Sequence, residues 1–226
     1  AWYSEFSKYT SDIIILHNLS HEAYFNHIIN SVISSRNPDC ILLTNSEYGY
    51  YLLPYIKLHF PDIPVADYNH MEEDYWNNGG HPRQAVIYQS LLDKNIVSSE
   101  HLKKWMVSQK ADKEKIEVVT TNSDYTQYGP DKTVRKELRG KWKISDSLCL
   151  ITFSGRITAQ KQPRVLINAI YEVSKNVPEG YLFIIAGDGP DMEAMKAHAE
   201  SLGLLNKIKF LGEISDKDNI RVLQAS

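Results

Sequence analysis

The chain has 226 residues, of which 42% are hydrophobic and 23% charged. That balance supplies a real hydrophobic core and excludes global disorder. A formal net charge of −3 excludes a nucleic-acid binder that works by bulk positive charge, so any anion site must be local.

Short apolar runs at 13–16, 40–44, 64–68, 95–98 and 116–120 read as strands, and several close on Asn, Ser or His. A second series lies at 148–153, 181–186 and 208–212. Helical patterns fill the intervals. Ser98-Ser99-Glu100 predicts a capped start for the helix carrying Leu102 and Met106. Val165, Leu166, Ala169, Ile170 and Val173 make an apolar stripe, with Pro163 in its first turn. Met192, Met195, Ala199 and Leu202 make another, closed by Gly203. Repeated strand–helix–strand units predict an α/β protein with parallel sheets covered by helices on both faces.

The alternation breaks between 125 and 147. There Val134, Leu138 and Trp142 recur at helical spacing among Lys132, Arg135, Lys136, Arg139, Lys141 and Lys143. This segment reads as an interdomain connection, either a solvated linker helix or a basic face for a membrane surface. The expected division is 1–124, a connection at 125–146, and a second domain from 147 to 226. Cys40 and Cys149 read as small buried hydrophobes in a reducing compartment. No signal peptide or membrane-spanning run is legible. With Ala1 in first place and a helical pattern running into Ser226, the chain reads as part of a longer protein.

Three segments carry chemistry. Gly155-Arg156 and Lys161 lie where a buried strand turns into a helix. Such a turn presents backbone N–H groups and a helix N-terminus to an anion, and the two cations suit a diphosphate. A surface turn with two solvated cations is the other reading. Gly187-Asp188-Gly189-Pro190 repeats the arrangement after the next strand. It is half of a dinucleotide fingerprint or a tight turn that needs glycine. His70 follows the strand at 64–68, where it can hydrogen-bond a sugar or phosphate, exchange a proton, or serve as a structural residue. Tyr75, Trp76 and Gly79-Gly80 behind it suggest a mobile aromatic loop suited to stacking on a sugar. Asn45 and Glu47 end another strand and, with Glu72, are candidates for touching an acceptor, although Ser46 between them suits a helix cap. His17, His21 and His27 do not continue into a zinc motif, and no Walker lysine loop or nucleophile elbow is present.

Taken in order, Gly155-Arg156 with Lys161-Gln162-Pro163, then Ala186-Gly187-Asp188-Gly189-Pro190, then Phe210-Leu211-Gly212 resemble the second domain of family-4 retaining glycosyltransferases of the GT-B fold. Upstream, Asn95 to Glu100 and Asn122-Ser123-Asp124 with Tyr128 and Pro130 resemble that family's first-domain strand and its crossover. The resemblance implies two Rossmann-like, doubly wound parallel-sheet domains, both incomplete here. It further implies metal-independent transfer, with no cofactor, from a nucleotide-sugar donor to a glycan or lipid-linked acceptor in the cytoplasm or at the inner membrane face. Arg156 and Lys161 would hold the diphosphate, Gly155, Gly187, Asp188 and Gly189 would line the donor, and His70 would meet the donor sugar or its phosphate. The family's glycine-rich loop would precede Ala1 and its Glu-x7-Glu segment would follow Ser226, so this chain alone would not turn over. A GT-B epimerase and a non-catalytic sugar-nucleotide-binding domain are the alternatives.

Overall fold

The apolar runs of each half pair side by side, every strand parallel to its neighbours. A computed structural model describes residues 3–19, 21–122, 125–177 and 179–226, and the chain divides into two units, Ala1–Asn122 and Ser123–Ser226. In the first unit β1 (Ile41–Thr44), β2 (Val65–Asn69), β3 (Lys94–Val97) and β4 (Ile116–Val118) form one sheet in that order. The helices are α1 (Phe25–Arg36), α2 (Glu47–His59), α3 (Gly80–Ile87) and α4 (Glu100–Ser108).

Local chemistry starts these helices where the sequence predicts. Ser46 Oγ accepts from the Gly49 N–H at 3.0 Å and Ser99 Oγ from the Leu102 N–H at 3.2 Å, each relieving an orphan donor of a first turn. Tyr50, Leu53 and Ile56 of α2 share a buried face that packs with Val65, Ala85, Val97, Leu102, Met106 and Ile116. Asp93 ties the entry of β2 to α2. Its Oδ2 accepts from the Val65 N–H at 2.7 Å and from Lys57 Nζ at 2.9 Å. The Lys57 hydrogen bond is the larger cause that holds this carboxyl below the usual carboxylate range, and the Val65 N–H adds to it.

Two expectations fail here. Residues 13–16 are not a strand: Leu16–Leu19 is a helical turn, and Ile14 and Ile15 are exposed. A β-branched run needs a ladder partner, and among the described residues β1 pairs only with β2. Cys40 and Cys149 are exposed free thiols rather than buried hydrophobes. Cys149 opens its strand on the outward side of an alternating burial pattern.

In the second unit β5 (Cys149–Ser154), β6 (Tyr181–Ala186) and β7 (Ile208–Gly212) form a sheet in chain order. Its helices are α5 (Lys132–Trp142), α6 (Pro163–Asn176), α7 (Met192–Ser201) and α8 (Asp216–Ala225). Phe183 and Ile185 of β6 pack with Ile167, Ile170, Met192, Met195 and Ala199. Ile184 packs on the opposite face with Leu150, Val222 and Trp142. A strand covered on both faces has to be a continuous apolar run, as 181–186 is. On α6 the buried residues are Ile167 and Ile170, whereas Val165 of the expected stripe is exposed.

Residues 125–146, read as a connection, pack within this unit, α5 lying against α8. Asp131 Oδ1 caps α5, accepting from the N–H groups of Thr133 and Val134. Arg139 is buried and has no carboxylate among its hydrogen-bond partners: its guanidinium donates to the carbonyls of Ala225, Ser145 and Leu148 at 2.7–2.9 Å. Part of the basic cluster is therefore internal scaffolding, while Lys132, Lys136, Lys141 and Lys143 face outward. Among the described residues no helix is long and apolar enough to cross a membrane.

Candidate functional site

The loops after β5 and β6 are stitched backbone to backbone. The Gly155 N–H donates to the Ala186 carbonyl at 3.0 Å, Ile157 N–H to Asp188 at 2.9 Å, and Asp191 N–H back to Ile157 at 3.1 Å. Gly187 N–H reaches the Gly212 carbonyl at 2.8 Å, tying in the end of β7. This approach leaves no room for side chains. A Cβ on Gly187 would sit 1.9 Å from the Gly155 carbonyl oxygen, and one on Gly189 would sit 2.3 Å from that of Ile157. Gly187 also holds φ at 135°, which L side chains rarely adopt. Ile157 is fully buried and pins the first loop into the core.

The three strand ends border a cavity of about 580 Å³ whose lining includes Gly155, Arg156, Gly187, Asp188 and Gly189. Five expected residues thus come together. Lys161 lies beyond the wall, exposed, at the end of the helical turn Ala159–Lys161 that leads into α6. Among the described residues Arg156 is the one cation in the cavity wall. The lining also includes Glu213, Ile214, Asp216 and Asn219, which the sequence did not single out. Ser154 Oγ donates to Asn219 Oδ1 at 2.7 Å and so fixes Asn219 to the end of β5. Their signal was positional: they follow the third strand, at the same carboxyl edge as the two glycine loops. A guanidinium and the carboxylates of Asp188, Glu213 and Asp216 in one lining suit a ligand with an anionic group and hydroxyls.

In the first unit His70 is exposed directly after β2, its ring 4.5 Å from that of Tyr68. Ser98 Oγ donates to its carbonyl at 2.6 Å. Glu72 Oε1 lies 2.6 Å from His101 Nε2. Asn45 is exposed at φ 47°, and Glu47 Oε1 accepts from the Tyr51 hydroxyl and from Asn77 Nδ2. The loop after His70 is packed, contrary to expectation. Gly79 and Gly80 are buried, a Cβ on Gly79 would meet Trp105 at 2.4 Å, and the Glu73 carbonyl accepts from the N–H groups of Trp76 and Gly79. Behind it lies His81, which the sequence did not single out because the Gly-Gly pair hid the start of α3. Its ring stands against those of Trp76 and Tyr50, and its Nδ1 is buried without a partner. Burial pushes this imidazole below its ordinary value, with the Glu73 and Glu47 carboxylates opposing the shift. The expected crossover at Ser123-Asp124 lies outside the described residues.

Parallel sheets whose strand ends carry glycine turns define an α/β fold of the class that binds ligands at the carboxyl ends of its strands. Residues 134–226 match the family model described as glycosyl transferases group 1. An alpha-1,4-N-acetyl-D-galactosaminyltransferase of Campylobacter jejuni is 36% identical over 74 residues, which is 33% of this chain and 19% of that protein. D-inositol 3-phosphate glycosyltransferase of Rhodococcus jostii is 31% identical over 122 residues, 51% of this chain and 26% of that protein. In structure, a glycosyltransferase from Rickettsia africae gives a TM-score of 0.72 at 17% identity over 95% of this chain and 57% of its own. Anabaena HepE in complex with UDP gives 0.69 at 16% identity over 88% and 54%. The chain thus spans about half of these solved chains and about a quarter or less of the two curated relatives. Residues 134–226 thus resemble the glycosyl transferases group 1 family, and the fold is a partial GT-B fold shared with these solved structures.

Gly187→Ala is expected to lower unfolding free energy by about 1–3 kcal/mol in a denaturant titration, because the Gly155 backbone must retreat. Gly140→Ala, inside α5 with open space around it, is expected to gain up to about 1 kcal/mol. Equal effects at both positions would show that the stitching is loose. Folded His81 takes its proton at lower pH than in the unfolded chain, so its contribution is full above about pH 6.5 and is lost as pH falls below that. The stability of the natural protein relative to His81→Phe should therefore shrink between about pH 7 and 5; parallel stability–pH curves would contradict this.

Proposed function

We propose that the full-length protein containing this chain transfers a sugar from a nucleoside diphosphate donor to a hydroxyl of a glycan or lipid-linked acceptor, with retention at the anomeric carbon. The observation that carries this reading is Arg156 on a glycine-stitched strand-to-helix turn, in a cavity built from the residues that match the family. As the bond between sugar and phosphate breaks, negative charge grows on the leaving diphosphate. A guanidinium carried on this held backbone, with the Lys161 ammonium beyond it, stabilises that charge more in the transition state than in the ground state. The Gly187–Gly189 turn lets the nucleotide approach backbone closely, and the carboxylates of Glu213 and Asp216 accept hydrogen bonds from its hydroxyls. His70 is assigned to the donor sugar or its phosphate near the reacting carbon, and Asn45, Glu47 and Glu72 to the acceptor side. The reading requires no metal.

Several relatives support the substrate classes. HepE is described in complex with UDP and with UDP-glucose. The Campylobacter enzyme is named for an undecaprenol-linked glycan, and mycobacterial relatives for phosphatidylinositol mannoside. A cytoplasmic protein that touches the inner membrane face through the outward lysines of α5 fits a lipid-linked acceptor. Names that describe transfer weigh against an epimerase or a non-catalytic binding domain.

In the full-length enzyme, release of UDP or GDP from a panel of UDP- and GDP-sugars should identify one donor class. Arg156→Ala should then lower kcat by about 10²–10³-fold, and Lys161→Ala should lower it in the same direction. Unchanged donor turnover in both variants would refute the diphosphate role.

A further inference from the structure

Asp67 is a fully buried carboxyl on β2 that no step of the proposed transfer uses. Its neighbours on the same strand face, Val65 and Asn69, are also fully buried, and a hydrophobic residue would meet the packing need at lower desolvation cost. Desolvation raises its pKa above the usual carboxylate value, and hydrogen bonds oppose the shift.

Those hydrogen bonds come from both sides of the strand. The Tyr50 hydroxyl of α2 donates to Oδ2 at 2.8 Å, and Asn95 Nδ2 of β3 donates to Oδ1 at 2.9 Å. Asn95 Oδ1 in turn accepts from Gln89 Nε2 at 2.7 Å, and Gln89 Oε1 accepts from the Asp112 N–H at 2.6 Å. Asp67 and Asn95 are register partners across β2 and β3. The brace therefore locks the two strands in one register, which matters because a one-residue slip would turn every side chain to the other face. The same register pairs Asn69 with Val97 and so sets Ser98, the next residue, beside the end of β2. The Ser98 N–H donates to the Asn69 carbonyl at 3.1 Å, and its Oγ donates to the His70 carbonyl. The Tyr50 hydroxyl also lies 3.3 Å from Asn69 Oδ1, the residue before His70.

We propose that Tyr50, Asp67 and Asn95 form a positioning brace that, through Ser98 and Asn69, fixes the backbone at His70 in the orientation used for sugar transfer. The inference rests on the role assigned to His70 above, but its geometry can be tested apart from that role. Both Asp67 oxygens are satisfied, while Asn69 Nδ2 is buried without a partner among the described residues. A buried network satisfied at its centre fixes the arrangement around it, and displacement of a reacting group by about 1 Å can cost about a hundredfold in rate.

The test uses the full-length enzyme with ¹³C-labelled histidine, the His70 resonance being assigned by its loss in His70→Gln. Tyr50→Phe removes one strut, and Ser98→Ala cuts the link to His70 without entering the core. Both should displace the His70 ring resonance and lower kcat by about tenfold, with the donor KM within about twofold. Asp67→Leu should do the same, whereas Asp67→Asn, whose amide can meet both partners once the Tyr50 hydroxyl turns, should recover most of the loss. Resonance and kcat that match the natural enzyme in both Tyr50→Phe and Ser98→Ala would overturn the proposal. So would a kcat loss with an unmoved resonance. A displaced resonance with unchanged kcat would uphold the brace and refute the role assigned to His70.

Discussion

The backbone of residues 155–157 lies so close to that of residues 187–191 that no side chain fits between them. Everything proposed for the second unit depends on this contact. It aligns the carboxyl ends of β5 and β6, draws in β7 through Gly212, and leaves Arg156 on the cavity wall while Ile157 anchors in the core. Glycine costs conformational entropy in such loops, and here the close approach demands it. A stitched turn fixes the backbone from which the charged side chain reaches, so that anchor need not reorganise as charge grows on a leaving group.

The first unit solves the same problem with side chains. Its strand ends carry no comparable glycine loop among the described residues, and the register of β2 and β3 is instead fixed by buried polar groups around Asp67. Such a network is costly unless every partner is met, which ties the alignment of the strand ends to a few hydrogen bonds. His81 sits against the same Tyr50, so the aromatic and polar parts of this edge share one support.

Much of this was legible in the sequence, for physical reasons that differ by segment. The apolar run 181–186 read as a strand in a sheet covered on both faces, and the glycines at 187 and 189 read as a tight turn, which the structure shows to be a close backbone approach. Three kinds of feature were hidden. Ile13 to Ile15 have strand-like side chains, but pairing is a property of neighbours rather than of the run itself. Cys149 looked buried because its run is apolar, while period-2 alternation turns it outward. Glu213, Asp216 and Asn219 lack a distinctive spacing and become a wall of the cavity only once β7 is placed beside β6. His81 was masked by Gly79-Gly80, which read as a flexible link and proved to be packed beneath Trp105 and Trp76.

The central claim is that the stitched turn with Arg156 holds a diphosphate. Calorimetric titration of the full-length protein with UDP, GDP, uridine and guanosine tests it most directly. The account predicts that one nucleoside diphosphate binds at least about tenfold more tightly than its nucleoside, a margin of one or more charge-assisted hydrogen bonds. It also predicts that Arg156→Ala removes most of that difference. Equal affinities for diphosphate and nucleoside, or a difference that survives Arg156→Ala, would contradict it.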